Sequence, residues 1–193
     1  MAFTLEIGKK APDFALPATD GKAYRLADFD AAAVLVVCFT CNHCPYVIGN
    51  EKREKAFVEK YRGRGVAYVA INSNDVNMYA EDDFPHMQAR AQALGFTWPY
   101  LRDEAQAAAK AYGAIKTPHY FVFDQARMLR YVGRMDNSPR DASLAKTHEL
   151  ADAVEALLAG KQVPMPVTEA IGCTVKWIGK DGHFIPGDVC DLV

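Results

Sequence analysis

Two cysteines separated by two residues, Cys41-Asn42-His43-Cys44, are the residues of this chain best suited to chemistry. Sulfurs at that spacing can close a disulfide. A helix beginning at the pair favours thiolate over thiol, because unpaired N–H groups of the first turn and the positive end of the helix dipole stabilise the anion. Cys41 is then the expected nucleophile near neutral pH, and Cys44, one turn on, the expected resolving thiol. The surrounding pattern supplies such a corner. Val34 to Phe39 is an unbroken run of apolar residues that reads as a buried strand, and the cysteines stand where it gives way to helix.

Other elements follow from periodicity and punctuation. Asp20-Gly21 between two short apolar stretches predicts an N-terminal hairpin. Val47, Ile48, Phe57, Val58 and Tyr61 recur at helical spacing and stop at Gly63 and Gly65, which predicts an amphipathic helix. Val66 to Ile71 is a second buried strand, completing a strand-helix-strand unit. Asp82-Asp83 with Pro85 opens a helix that runs to Leu94 and ends at Gly95, and a shorter helix follows Asp103. His119–Asp124 and Met128–Val132 flank a polar turn as a hairpin, and helix returns over 142–159 before Gly160. From Val163-Pro164-Met165-Pro166 onward the chain becomes an irregular tail rich in Pro and Gly, holding Cys173 and Cys190.

The chain has 193 residues, half of them hydrophobic, enough for one sizeable core. One folded unit over 1–160, with an extension over 161–193 packed on it, is the expected organisation. A net charge of -2 without runs of like charge gives no electrostatic reason to expect nucleic acid or membrane as a partner. The start, Met1 to Glu6, lacks the features of a secretory leader, and five cysteines, an odd number, fit redox or buried thiols in a reducing compartment. A cytoplasmic location is therefore expected.

Three stretches together resemble one superfamily: Gly8-Lys9-Lys10-Ala11-Pro12-Asp13-Phe14 with Leu26-Ala27-Asp28-Phe29, the dithiol corner, and Thr117-Pro118 ahead of the strand ending in Asp124. The chain resembles the thioredoxin-fold superfamily, and most closely its redoxin branch of peroxiredoxin-like and thiol-disulfide interchange proteins related to alkyl hydroperoxide reductase. The resemblance implies an α/β thioredoxin fold: a central mixed β-sheet flanked by helices, with an N-terminal β-hairpin and an irregular C-terminal tail. It also implies that Pro118 is cis and packs opposite Cys41 and Cys44, where the backbone of Thr117 can pair with an extended substrate segment.

The activity so implied is thiol-disulfide exchange without metal or organic cofactor. Cys41 attacks a protein or small-molecule disulfide, Cys44 resolves the mixed disulfide, and a separate reducing partner recycles the pair. His43 between the thiols resembles the His of strongly oxidising relatives and is a candidate modulator of the attacking thiol. Cys38 stands where thioredoxin carries a buried Asp, so another base or water must accept the resolving thiol's proton. Cys38 itself reads as an inert core thiol, Cys190 as an exposed one, and His119 as structural. Cys173, in Ile171-Gly172-Cys173-Thr174-Val175, is a candidate secondary thiol. A homodimer is a further candidate from the resemblance.

Two rival functions stay open at this point. In a thiol peroxidase, Cys44, followed by Pro45 as in peroxiredoxins, becomes the sulfenic acid and Cys41 resolves it. The chain departs from the peroxiredoxin pattern, however, with Cys41 in place of its Thr and Pro118 in place of its Arg. The other rival is a redox-regulated binding module that presents the Pro118 groove to a partner without turnover.

Overall fold

The computed structural model describes residues 3–192. Strands β1 (Ala15–Pro17) and β2 (Ala23–Arg25) pair antiparallel around Asp20-Gly21, and Gly21 takes φ +83°, a conformation glycine adopts without steric cost. The chain then enters β3 (Val34–Thr40), all seven residues buried, and continues through α1 (Pro45–Tyr61) into β4 (Val66–Asn72). Helix α2 (Phe84–Leu94) starts at Asp83, whose side chain accepts the His86 amide, and ends at left-handed Gly95. After it come β5 (Tyr100–Arg102), α3 (Ala107–Tyr112), β6 (Lys116–Thr117), β7 (His119–Phe123), β8 (Leu129–Gly133), α4 (Glu149–Leu158) and β9 (Cys173–Thr174).

Five strands make a mixed central sheet in the order β5-β4-β3-β7-β8. β4 runs parallel to β3 and β5, whereas β7 is antiparallel to β3 and to β8. Both faces are covered, and this explains why β3 reads as a continuous apolar run and shows no alternation. Alternate residues still serve different layers. Val34, Val36 and Cys38 pack with Phe57 and Tyr61 of α1, Met87 of α2, and Leu150 and Val154 of α4. Leu35, Val37 and Phe39 face Tyr112 of α3, the N-terminal Phe14 and Phe29, and Trp177 of the tail. At about 25 cal/mol per Å2 of apolar surface removed from water, these two layers carry most of the stabilisation.

Two expectations are corrected. Helix over 142–159 is shorter: a 3-10 turn occupies Ala142–Leu144 and α4 begins only at Glu149. Between them Ala145 is extended, and the amides of Lys146 and Thr147 both bond the Asn137 side chain, so they are unavailable for helical bonds. Ile48 is the other: at 49% exposure it faces solvent, while Val47 beside it is buried. Among the described residues no helix is long and apolar enough to cross a membrane.

Candidate active site

The first cysteine follows β3 directly, and the second is the N-cap of α1, with Pro45 at the first helical position. Proline suits that place because its ring presets a helical φ and its missing N–H is one the helix leaves unpaired anyway. The helix therefore starts one residue after Cys44, and Cys41 lies a full turn short of it.

Both sulfurs converge on Thr117. The Cys44 thiol donates to the Thr117 carbonyl oxygen at 3.2 Å, and Cys41 Sγ lies 3.4 Å from Thr117 Oγ1. The Thr117–Pro118 peptide bond is cis. Neither sulfur reaches solvent: Cys41 is 1% exposed and Cys44 0%. Tyr46 and Cys173 pack against the small cluster that Cys41 and Cys44 form with Val47. All five cysteines are free thiols.

The electrostatics differ between the two sulfurs. Cys44 is held well below the ordinary thiol range, chiefly by hydrogen bonding from Cys41 and further by Cys173, against the opposing effect of burial. Its N-cap position adds the helix dipole to the same side. Cys41 is pushed up, first by burial, then by its bond to Cys44 and by the negative charge of Asp82, with only the Thr117 hydroxyl opposing. The helix start favours a thiolate at its N-cap, Cys44, over one at Cys41, which lies four residues before the first helical residue.

Asp82 is the residue that the sequence reading missed. Its Oδ2 lies 2.8 Å from His43 Nδ1 and accepts Asn74 Nδ2 at 2.9 Å, while Oδ1 accepts the Asn42 amide at 2.6 Å and Asn72 Nδ2 at 3.1 Å. Burial alone would raise this carboxyl, yet the bonds from His43, the Asn42 amide and Asn74 outweigh it and hold it below the usual carboxylate range. The His43 ring is further fixed by stacking on Tyr79 at 3.8 Å between centroids. Asn42 is held in turn, its side-chain oxygen accepting Tyr100 Oη at 2.9 Å. The available signal was the Asp82-Asp83 pair itself: a helix start needs one capping carboxylate, and Asp83 supplies it.

Cys41, His43 and Asp82 offer donor atoms within 4.8 Å of one another, a set that a divalent metal can use. However, the four acceptor positions of Asp82 are already occupied by N–H donors, so binding a cation there means breaking that network.

A second buried acid lies on the other side of Cys41. Glu54 of α1 accepts the Tyr68 hydroxyl and lines, with Cys41, Val47 and Tyr100, a cavity of about 10 Å3, roughly the space of one water. Burial raises its carboxyl to about 7. Cys38 is buried on the same side among Tyr68 and Tyr120, and burial pushes its thiol up. His119 is buried and pulled down to about 3 by that burial, so its neutral ring accepts the Ile115 amide. Cys190 is exposed and outside the thiol cluster.

A mixed five-stranded sheet with flanking helices, an N-terminal hairpin and a dithiol beside a cis-proline defines a thioredoxin fold. The Redoxin family model matches residues 6–150, and the chain belongs to that family. A hypothetical protein from Sinorhizobium meliloti 1021 is 37% identical, with 93% of this chain and 98% of that one superposed at a TM-score of 0.87. An uncharacterized conserved protein from Geobacillus kaustophilus is 38% identical over 93% of this chain and 96% of its own, also with a TM-score of 0.87. The thiol-disulfide oxidoreductase ResA of Geobacillus thermodenitrificans is 25% identical over 125 residues. That match spans 62% of this chain and 64% of ResA, less than two thirds of the relative's length.

Proposed function

We propose that this protein is a thiol-disulfide oxidoreductase working through Cys41 and Cys44, with Cys44 as the attacking thiolate and Cys41 as a resolving thiol. The observation that carries this reading is the convergence of both sulfurs on Thr117, 3.2 and 3.4 Å from its two oxygens. The Cys44 thiolate attacks one sulfur of a disulfide and releases the other as a thiol. Cys41 then attacks the Cys44 sulfur, releasing the second thiol and leaving Cys41–Cys44 oxidised. Glu54, across the small cavity, accepts the Cys41 proton through the water the cavity can hold when its carboxyl is ionised, above about pH 7. An external thiol reductant returns the pair to the dithiol.

A thiolate stabilised relative to the free thiol makes the reduced form more stable, so the disulfide is the more oxidising. Asp82 opposes this on the Cys41 side by disfavouring a second negative charge. One unit over 1–160 carrying the site, with 161–193 as an extension on it, is part of the same reading.

The test is the burst of thiol released from an aromatic disulfide. Cys41→Ser is expected to keep the first release and Cys44→Ser to lose it; the opposite result would restore Cys41 as the attacking residue. A second reading, thiol peroxidase, draws on the acidic Cys44 at the helix start followed by Pro45. Peroxide consumption that survives Cys41→Ser and is lost in Cys44→Ser would favour it.

A further inference from the structure

The tail that follows the redoxin-matched segment returns to the dithiol and places a third sulfur on it. β9 pairs antiparallel with β6, with Cys173 opposite Thr117, the same residue that receives both Cys41 and Cys44. Gly172 fits so closely that a Cβ there would collide with the Thr117 carbonyl oxygen. The strand is also tied down beyond Cys173. The Val175 amide bonds the Ile115 carbonyl at 3.2 Å, the Lys176 amide bonds Asn74 Oδ1 at 2.9 Å, and the Lys176 carbonyl accepts Asp75 N and Gln106 Nε2. Gln106, in a left-handed conformation at φ 58°, closes the clamp by accepting the Ile178 amide at 2.9 Å. Cys173 is therefore held at the cluster by a built anchor on its own strand.

We propose that Cys173 is a third redox thiol of this site, closing a disulfide with Cys44 in competition with Cys41. The proposal rests on the dithiol reading above. After Cys44 has attacked an external disulfide RSSR, one RS− has left to be protonated and Cys44–S–S–R remains. Cys173 then attacks the Cys44 sulfur, forming Cys44–S–S–Cys173 and expelling the second RS−, which takes the proton that Cys173 gives up. Two electrons pass from Cys44 and Cys173 to RSSR, yielding two RSH.

Charge favours Cys173 over Cys41 for this step. Lys116 and Lys176 both act on the Cys173 sulfur to favour its thiolate, whereas the Asp82 carboxylate acts on Cys41 to disfavour one. Burial and the neighbouring Cys44 thiolate hold the resting Cys173 thiol up, to about 11. Once Cys44 enters a mixed disulfide its negative charge is gone, and that restraint on Cys173 is lifted when a resolving thiolate is needed. Cys173 is also half-buried, in contrast to the two sealed sulfurs, so it is the member of the trio that an external reductant meets first.

The experiment oxidises wild type, Cys41→Ser and the Cys41→Ser/Cys173→Ser double variant with oxidised glutathione, blocks free thiols, and maps disulfides by mass spectrometry. Cys41→Ser is expected to yield the intramolecular Cys44–Cys173 pair, and the double variant to stop at a Cys44–glutathione mixed disulfide. A Cys41→Ser protein that accumulates that mixed disulfide with Cys173 reduced overturns the third-thiol proposal and leaves the dithiol reading intact. Wild type in which Cys44 stays reduced overturns both. Should Cys41→Ser fail to fold, wild type sampled at substoichiometric oxidant must contain some Cys44–Cys173 pair, and its absence overturns the proposal.

Discussion

His43 and Asp82, 39 residues apart in the chain, meet at 2.8 Å between Nδ1 and Oδ2 directly beside Cys41. This contact fixes the loop between the cysteines to the segment before α2, and it puts a negative charge next to one sulfur of the pair.

Replacing Asp82 separates its two roles. Asp82→Ala leaves the Asn42 amide, two Asn side chains and His43 without their acceptor, and a loss of about 3 kcal/mol is expected in urea unfolding. Asp82→Asn removes the charge while keeping one of the two acceptor oxygens, so the Cys41 thiol should titrate lower at a smaller cost in stability than Asp82→Ala, read by thiolate absorbance in a Cys44→Ser background. No change in Cys41 titration would remove Asp82 from the electrostatics of the site. Because the Asp82 carboxyl is depressed in the fold, its contribution to stability is present above its unfolded value and is lost as pH falls through the lowered one.

Glu54 makes stability fall with rising pH. Its carboxyl stays protonated in the fold to about 7 but ionises near 4.5 when unfolded, so the native state binds the extra proton between these values. The associated stability is full below pH 4.5 and lost by pH 7, about 3 kcal/mol at most. Groups facing Glu54 include Tyr68, Glu51 and Arg90, all retained in Glu54→Gln. That variant should flatten the slope of unfolding free energy between pH 5 and pH 7. It should also slow the resolution of a Cys44 mixed disulfide in a Cys173→Ser background, where Cys41 must do the work.

Thr117→Val tests the hydroxyl alone. The Cys44 partner is a backbone oxygen and survives, while Cys41 loses the one neighbour that lowers its thiol. One hydrogen bond of about 1 kcal/mol corresponds to roughly fivefold slower resolution by Cys41, with the first thiol release unchanged. Equal slowing of both steps would show that Thr117 acts through packing.

Gly172→Ala should open the site. The new Cβ has no room against the Thr117 carbonyl, so β9 must lift, and Cys44, 0% exposed at rest, is uncovered more often than by the opening that admits a disulfide to the wild-type site. Its alkylation by iodoacetamide is expected to rise by about tenfold or more, since reactivity follows thiolate character and access together. An unchanged rate would mean that the tail is not what covers the sulfur.

Much of the frame was legible because its signals are local. The run Val34 to Phe39, the Asp20-Gly21 turn, and the Asp83 cap with Gly95 each carry their structure in a few neighbouring residues. Residues 145–148 were misread as helix because the donor competition that unwinds them comes from Asn137, outside the window that periodicity inspects. Ile48 was misread because helical spacing alone does not say where the apolar face ends.

The sequence by itself determined that two sulfurs share one strand-to-helix corner, since a two-residue spacing at that corner is a local covalent fact. Tertiary structure decided that the helix is capped by the second of them, that Asp82 holds His43, and that Cys173 lies on Thr117 at the sealed dithiol. The reason is physical. Thiol ionisation depends on dielectric, on the residue where the helix begins, and on charges brought together from 40 to 130 residues away, and these arise only when the chain is packed.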